Sequence, residues 1–100
     1  MVSRLELHEL LLDILGSNEV YYQPPASVQM TYPAIVYSRK DIDNYHADNG
    51  VYMQFTGYEI TVIDRNPDSE YVIAVSKLSG CRYDRHFTKD NLNHDVFVLY

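Results

Sequence analysis

One hundred residues, 46% of them hydrophobic, suffice for one domain with its own core, since a chain of this size buries about two thirds of the surface it exposes unfolded. A formal net charge of −6 with only eight basic residues argues against a nucleic-acid-binding surface, which needs clustered lysine and arginine; the adjacent pair Arg39-Lys40 is followed at once by Asp41 and Asp43. The lone Cys81 excludes an internal disulfide and fits a reducing compartment, Met1 to Glu6 lack the pattern of a secretory leader, and no apolar run approaches the ~20 residues a membrane helix needs.

The first element is a helix. Ser3-Arg-Leu-Glu6 forms a capping box, in which the serine hydroxyl accepts a backbone N–H and the glutamate reaches back to the serine. Leu7, Leu10, Leu11, Ile14 and Leu15 recur at helical spacing as one apolar stripe, and Gly16 ends it. His8 and Glu9 fall off the stripe and are read as facing solvent. Glu19 to Gln23 is a short strand stopped by Pro24-Pro25, which cannot continue a ladder, and so an edge strand. A surface connection follows, with Val28 and Met30 offering alternate side chains to the body, and then a second strand, Ala34 to Ser38.

Asp41 to Gly50 joins this strand to the longest one, Val51 to Asp64, as a hairpin with an extended arm. Asp48-Asn49-Gly50 supplies residues that tolerate positive φ in the reversal. In the long strand Tyr58, Ile60 and Val62 share one face and Phe55, Thr61 and Ile63 the other, so its second half is expected at the centre of the sheet. Gly57 marks a bulge or bend where the arm leaves the body. Asn66 is read as the cap, and Pro67 as the first residue, of a second helix running to about Leu78, with Tyr71, Val75 and Leu78 inward and Gly80 as its stop. Cys81 to Phe87 alternates as a strand, Lys89 to Asp95 is a polar turn, and Val96 to Tyr100 closes the sheet. The order α-β-β-β-α-β-β gives an α+β fold: a mostly antiparallel sheet of four to five strands with two helices on one face, in a single domain spanning residues 1–100.

Chemistry is sparse along this chain. Cys81, His86 and His94 carry zinc-ligand atoms, but Cys81 and His86 are five positions apart and so fall on opposite faces of a regular strand, and a fourth ligand is missing. The same opposition separates Cys81 from His86 as nucleophile and base. Asp41, Asp43 and Asp48 sit in a polar connection, where carboxylates serve solubility more often than proton transfer. The four glycines are absorbed by helix stops, a turn and a bend, leaving no phosphate cradle. Catalytic, cofactor and metal residues are therefore expected to be none. The arm is the feature left over: Ile42, Tyr45, Val51 and Tyr52 lie in it among acids such as Asp48, and an isolated arm cannot bury such groups in its own domain, which marks these five as candidate contacts between copies.

Several runs, taken in this order, resemble a known family. They are the capped leucine-rich helix, Tyr21-Tyr22-Gln23-Pro24-Pro25, Tyr32-Pro33 to Ser38, Tyr58 to Asp64 before the Pro67-Asp68-Ser69 helix start, and Asn91 to Tyr100. Together they are similar to the tail terminators, or tail completion proteins, of phages with long non-contractile tails. The resemblance implies a homo-hexameric ring that caps the tail tube, ends its growth and joins it to the head connector. Its partners would be copies of itself, the major tail tube protein and the head-completion protein, with phage DNA passing through the ring without specific binding and no membrane involved. Assembly would take place in the host bacterial cytoplasm, and the mature location would be the tail and neck of the virion. A head-tail adaptor ring from the same virion, or a small intracellular binding module on the same scaffold, remains open.

Overall fold

The fold comes from a computed structural model that describes residues 3–47 and 50–100, with 41, 43–47 and 50–55 described by backbone alone. The described residues form α1 (Arg4–Leu15), β1 (Val20–Tyr22), β2 (Ala34–Ala47), β3 (Gly50–Asp64), α2 (Glu70–Ser76), β4 (Cys81–Lys89) and β5 (Leu92–Leu99). The α+β class and the order of elements are those expected from the sequence. One five-stranded sheet runs β1-β2-β3-β5-β4; β1 pairs parallel with β2, and every other pairing is antiparallel.

Both helices lie on one face of this sheet. In register, Ile35 opposes Val62 and Tyr37 opposes Ile60, while Ile60 opposes Phe97 and Tyr58 opposes Leu99, so these side chains share a face. They form one core with Leu7, Leu11 and Leu15 of α1 and Val75 of α2. Burial of Leu7, Leu11 and Val75 is complete, each such side chain contributing about 1.5–3 kcal/mol. Ser3 caps α1 by accepting the Glu6 N–H, and Gly16 at φ 72° ends it in the left-handed region. The stripe is narrower than its spacing implied. Leu10 is 39% exposed because positions 7, 11 and 15 line the sheet and position 10 sits at the margin of that row.

Among the described residues no helix lies on the opposite face. Val36, Thr61, Ile63, Val96 and Val98 alternate out onto it, yet Ile63, Val96 and Val98 are buried. Longer neighbours shield them: Phe87 stacks on His94 with ring centroids 4.6 Å apart, and Arg85 reaches across to Glu59 at 3.5 Å. Such side chains cover apolar surface with their stems and rings while their polar ends stay wet.

Several boundaries differ from the sequence reading. The second helix starts at Glu70, capped by Ser69, not by Asn66. The Asn66 side chain instead accepts the Asp68 N–H, and Asp64 accepts the Asn66 N–H, so two side-chain turns hold Asn66-Pro67-Asp68 ahead of the helix. The helix also ends earlier, at Ser76, and Gly80 (φ 79°) sits in the turn beyond it. The Lys89 to Asp95 turn contracts to Asp90-Asn91, both at positive φ, the geometry of a two-residue hairpin loop. β1 is trimmed to Val20–Tyr22 at the sheet edge. Val28 and Met30 are half-buried while Gln29 and Thr31 are exposed, in line with the alternation read for that connection. The Tyr32-Pro33 bond is cis.

Candidate functional site

The dominant feature outside the core is the arm. The strand read as ending at Ser38 continues to Ala47, and β3 begins at Gly50, so residues first read as a connection are a two-stranded ribbon. β1 pairs with β2 no further than Tyr37, and β5 pairs with β3 only from Tyr58 onward. Beyond those rungs Asp41–Ala47 and Gly50–Gly57 pair with each other, and among the described residues neither outer edge of the ribbon has a partner strand. Seven residues at about 3.3 Å each carry the ribbon roughly 23 Å beyond the sheet. Accordingly the molecule measures 51 × 27 × 24 Å.

The root of the arm is built from tyrosines. Tyr37 is 1% exposed; its ring meets those of Tyr22 and Tyr58 at 5.0 and 6.3 Å. Above it His8 places Nδ1 2.7 Å from the Tyr37 hydroxyl, and Arg4 lies over Tyr22, 5.0 Å from the ring centre. His8 is thus half-buried against the sheet, correcting its assignment to solvent: an offset of one residue from Leu7 still leaves it above β2. Burial pushes the Tyr37 phenol above its ordinary pKa, partly offset by Arg4. The cluster fixes β2 and β3 where they leave the body, since Tyr37 lies two residues before Arg39 and Tyr58 directly follows Gly57.

At that exit the register shifts. Arg39 opposes Tyr58 and Asp41 opposes Gly57, which leaves Lys40 as the extra residue of a bulge in β2. Gly57 therefore does mark the irregularity, but the additional residue is on the partner strand. A bulge adds twist and re-aims the strands that follow it. Lys40 lines a hollow of about 300 Å³ with Arg82, Asp84 and Tyr100.

Of the five candidate contact residues, Ile42 is 42% exposed on the arm. Tyr45 opposes Met53, and the ladder resumes at His46 with Val51, which makes Tyr52 the extra residue of a second bulge. The backbones of Tyr45, Val51 and Tyr52 thus lie in the ribbon, and Asp48 lies outside the described residues.

The weaker constellations do not converge. Cys81 opposes Leu99 and His86 opposes Asp95, residues on one face of β5. The two therefore share a face, against the sequence reading, because a shift between Tyr83 and Arg85 inserts Asp84 and resets the alternation. Four rungs, or about 13 Å, still separate them. His86 lies 3.2 Å from Asn93, whereas His94 stacks on Phe87 on the other face. Burial pushes the Cys81 thiol above its ordinary value, away from the thiolate that nucleophilic or metal chemistry uses. Among the described residues no three His, Cys, Asp or Glu side chains gather as a metal site, and no helix is long and apolar enough to cross a membrane.

No protein-family model matches the chain, and a search of curated proteins finds no match either.

Proposed function

We propose that this chain is a structural virion protein, a phage tail terminator whose copies form a ring that caps the tail tube, ends its polymerisation and presents a surface to the head connector. The observation that carries the reading is the arm: a two-stranded ribbon whose outer edges meet no partner strand among the described residues, rooted in a packed tyrosine cluster and bearing an exposed Ile42. Isolated two-stranded ribbons are marginal in water, and unpaired strand edges are templates for pairing with another chain. A subunit that must grip its neighbours has use for such an element, and gripping needs no catalytic group. Ring formation follows when the contact joins two different surfaces of the same chain and the rotation closes. The net charge of −6 suits a lumen that DNA must cross without adhering.

The test is to add the purified protein to polymerising major tail tube protein and image the tubes. Short tubes of limited length, each ending in a ring, are expected. A protein that remains monomeric at every concentration and leaves tube growth unchanged would refute the reading. A ring that leaves tube growth unchanged would transfer it to a head-tail adaptor.

A further inference from the structure

The charges of this acidic chain are sorted between its two ends. α1 packs on β1 and β2, at one margin of the sheet, whereas β4 is the free strand at the other. From Arg4 to Tyr22 there are four acids, Glu6, Glu9, Asp13 and Glu19, against Arg4 alone; within β4 there are three bases, Arg82, Arg85 and Lys89, against Asp84. The segments thus carry −3 and +2. Each also exposes large apolar groups: Leu5 (65%) and Leu10 (39%) on α1, Tyr83 (54%) and Phe87 (40%) on β4. Glu6, Glu9 and Asp13 flank the two leucines on the outer side of α1, and every β4 residue from Arg82 to Lys89 is exposed.

We propose that the β4 margin of one copy docks against the outer face of α1 of the next. The occupant is a second copy of this chain, and charge complementarity selects it. Joining β4 to β4 would set +2 against +2, and joining α1 to α1 would set −2 against −2, with Arg4 against Glu6, Glu9 and Asp13 in each; like charges across an interface suppress that pairing. Only the unlike contact brings opposite charges together and sets Leu5 and Leu10 against Phe87, which shares a face of β4 with Arg82 and Lys89, and it is head-to-tail, the class of contact that yields rings or open filaments rather than two-fold dimers. An α-helix laid along a free strand also covers an edge that would otherwise invite further pairing. The proposal rests on the ring reading and specifies one of its seams.

Four full-length proteins test it by light scattering, with thermal melts as a control for folding. Arg82→Glu with Lys89→Glu reverses the β4 margin, Glu9→Lys with Asp13→Lys reverses α1, and a fourth chain carries all four changes. Arg85 is left alone because it already pairs with Asp84 and Glu59, and Glu6 because its N–H belongs to the α1 cap. Each doubly substituted chain alone is expected to require about tenfold or more protein to assemble. An equimolar mixture of the two, and the fourfold chain, are expected to regain the wild-type mass, because each seam again joins unlike charges. Doubly substituted chains that assemble like wild type would overturn this seam while leaving the ring reading intact. A wild-type chain that never assembles would overturn both. If a reversed chain does not melt cooperatively, Arg82→Gln with Lys89→Gln replaces it, and unchanged assembly of that variant overturns the seam.

Discussion

His8 and Tyr37 are joined across the helix–sheet interface, with Nδ1 2.7 Å from a phenol oxygen whose residue is 1% exposed. It is one of the polar contacts that tie α1 to β2 just before the arm begins, beside the hydrogen bond between Arg4 and the Tyr37 side chain. His8→Ala removes the imidazole partner of the buried hydroxyl while Arg4 remains beside it, a loss of about 0.5–1.5 kcal/mol. Glu9→Ala, one position along the helix and exposed, is expected to change stability by less than about 0.5 kcal/mol. Urea titrations of the two variants decide it, and equal values would mean that the contact contributes nothing.

Stability should fall in alkali, and Tyr37 should be part of the reason. Burial raises its pKa in the folded state, above about 10 for an unfolded tyrosine. The folded protein then holds the proton more tightly, so the stabilisation is complete below about pH 10 and is lost as pH rises from there through the folded value. Tyr21, through its hydrogen bond to Glu19, and Tyr83, through burial and its bond to Asp95, are shifted the same way. Melting temperature is therefore expected to hold to about pH 8, to begin to fall above about 8.5 as the thiol of Cys81, also raised by burial, titrates, and to drop further above about 10, this last drop being shallower in Tyr37→Phe. An identical slope in that variant would remove Tyr37 from the explanation.

Leu11 and Leu10 are adjacent in sequence and opposite in consequence. Leu11 is fully buried and Leu10 is 39% exposed, so Leu11→Ala is expected to cost about 2–5 kcal/mol through lost transfer energy and a cavity. Leu10→Ala should cost less than half as much. Denaturant midpoints with unchanged slopes provide the comparison.

These contrasts show how far the sequence could be read. Leu7, Leu11, Val75 and the alternation of Tyr58, Ile60 and Val62 were legible because burial imposes a period on them. Leu10 and His8 were not, since both lie at the margin of the stripe, where only the position of the sheet decides what is covered. The side of Cys81 relative to His86 was lost to one extra residue, Asp84, which no local composition announces. Asn66 and Ser69 both have capping chemistry, and the choice fell to the chain path after Asp64. Leftover apolar residues mark the arm as a site of contact between copies, but its pairing from Arg39 to Tyr58, with a bulge at either end, depends on register, which spacing alone does not set.

Gly80 tests the turn between α2 and β4. Its φ is +79°, and a Cβ placed there would stand 2.4 Å from the backbone oxygen of Tyr100. Gly80→Ala thus combines an unfavourable backbone conformation with a clash against a backbone atom that cannot rotate away. A loss of about 1–3 kcal/mol is expected. Gly16, also at positive φ but with nothing within 4 Å of such a Cβ, should tolerate alanine better. Thermal melts of both variants would show the order, and the reverse order would contradict the packing described at Gly80.

Shortening the arm separates folding from assembly. Among the residues whose side chains are described, the core lies between the helices and the rungs from Ala34 to Tyr37 and from Tyr58 to Ile63, and Ile42 on the arm is exposed. Replacing Ile42 to Val51 with Asn-Gly, which favours a two-residue hairpin turn, is therefore expected to leave a cooperative melt close to that of the parent chain. Assembly should be lost, because the ribbon edges and Ile42 are removed together. Mass by light scattering and the length distribution of tail tubes grown with the shortened protein are the measurements. If the shortened chain still forms rings of the parent mass and still stops tubes, the arm is not the grip. Contact between copies would then fall to the sheet margins, β4 and the Val20–Tyr22 edge, whose unpaired backbone groups are the remaining templates for a neighbour.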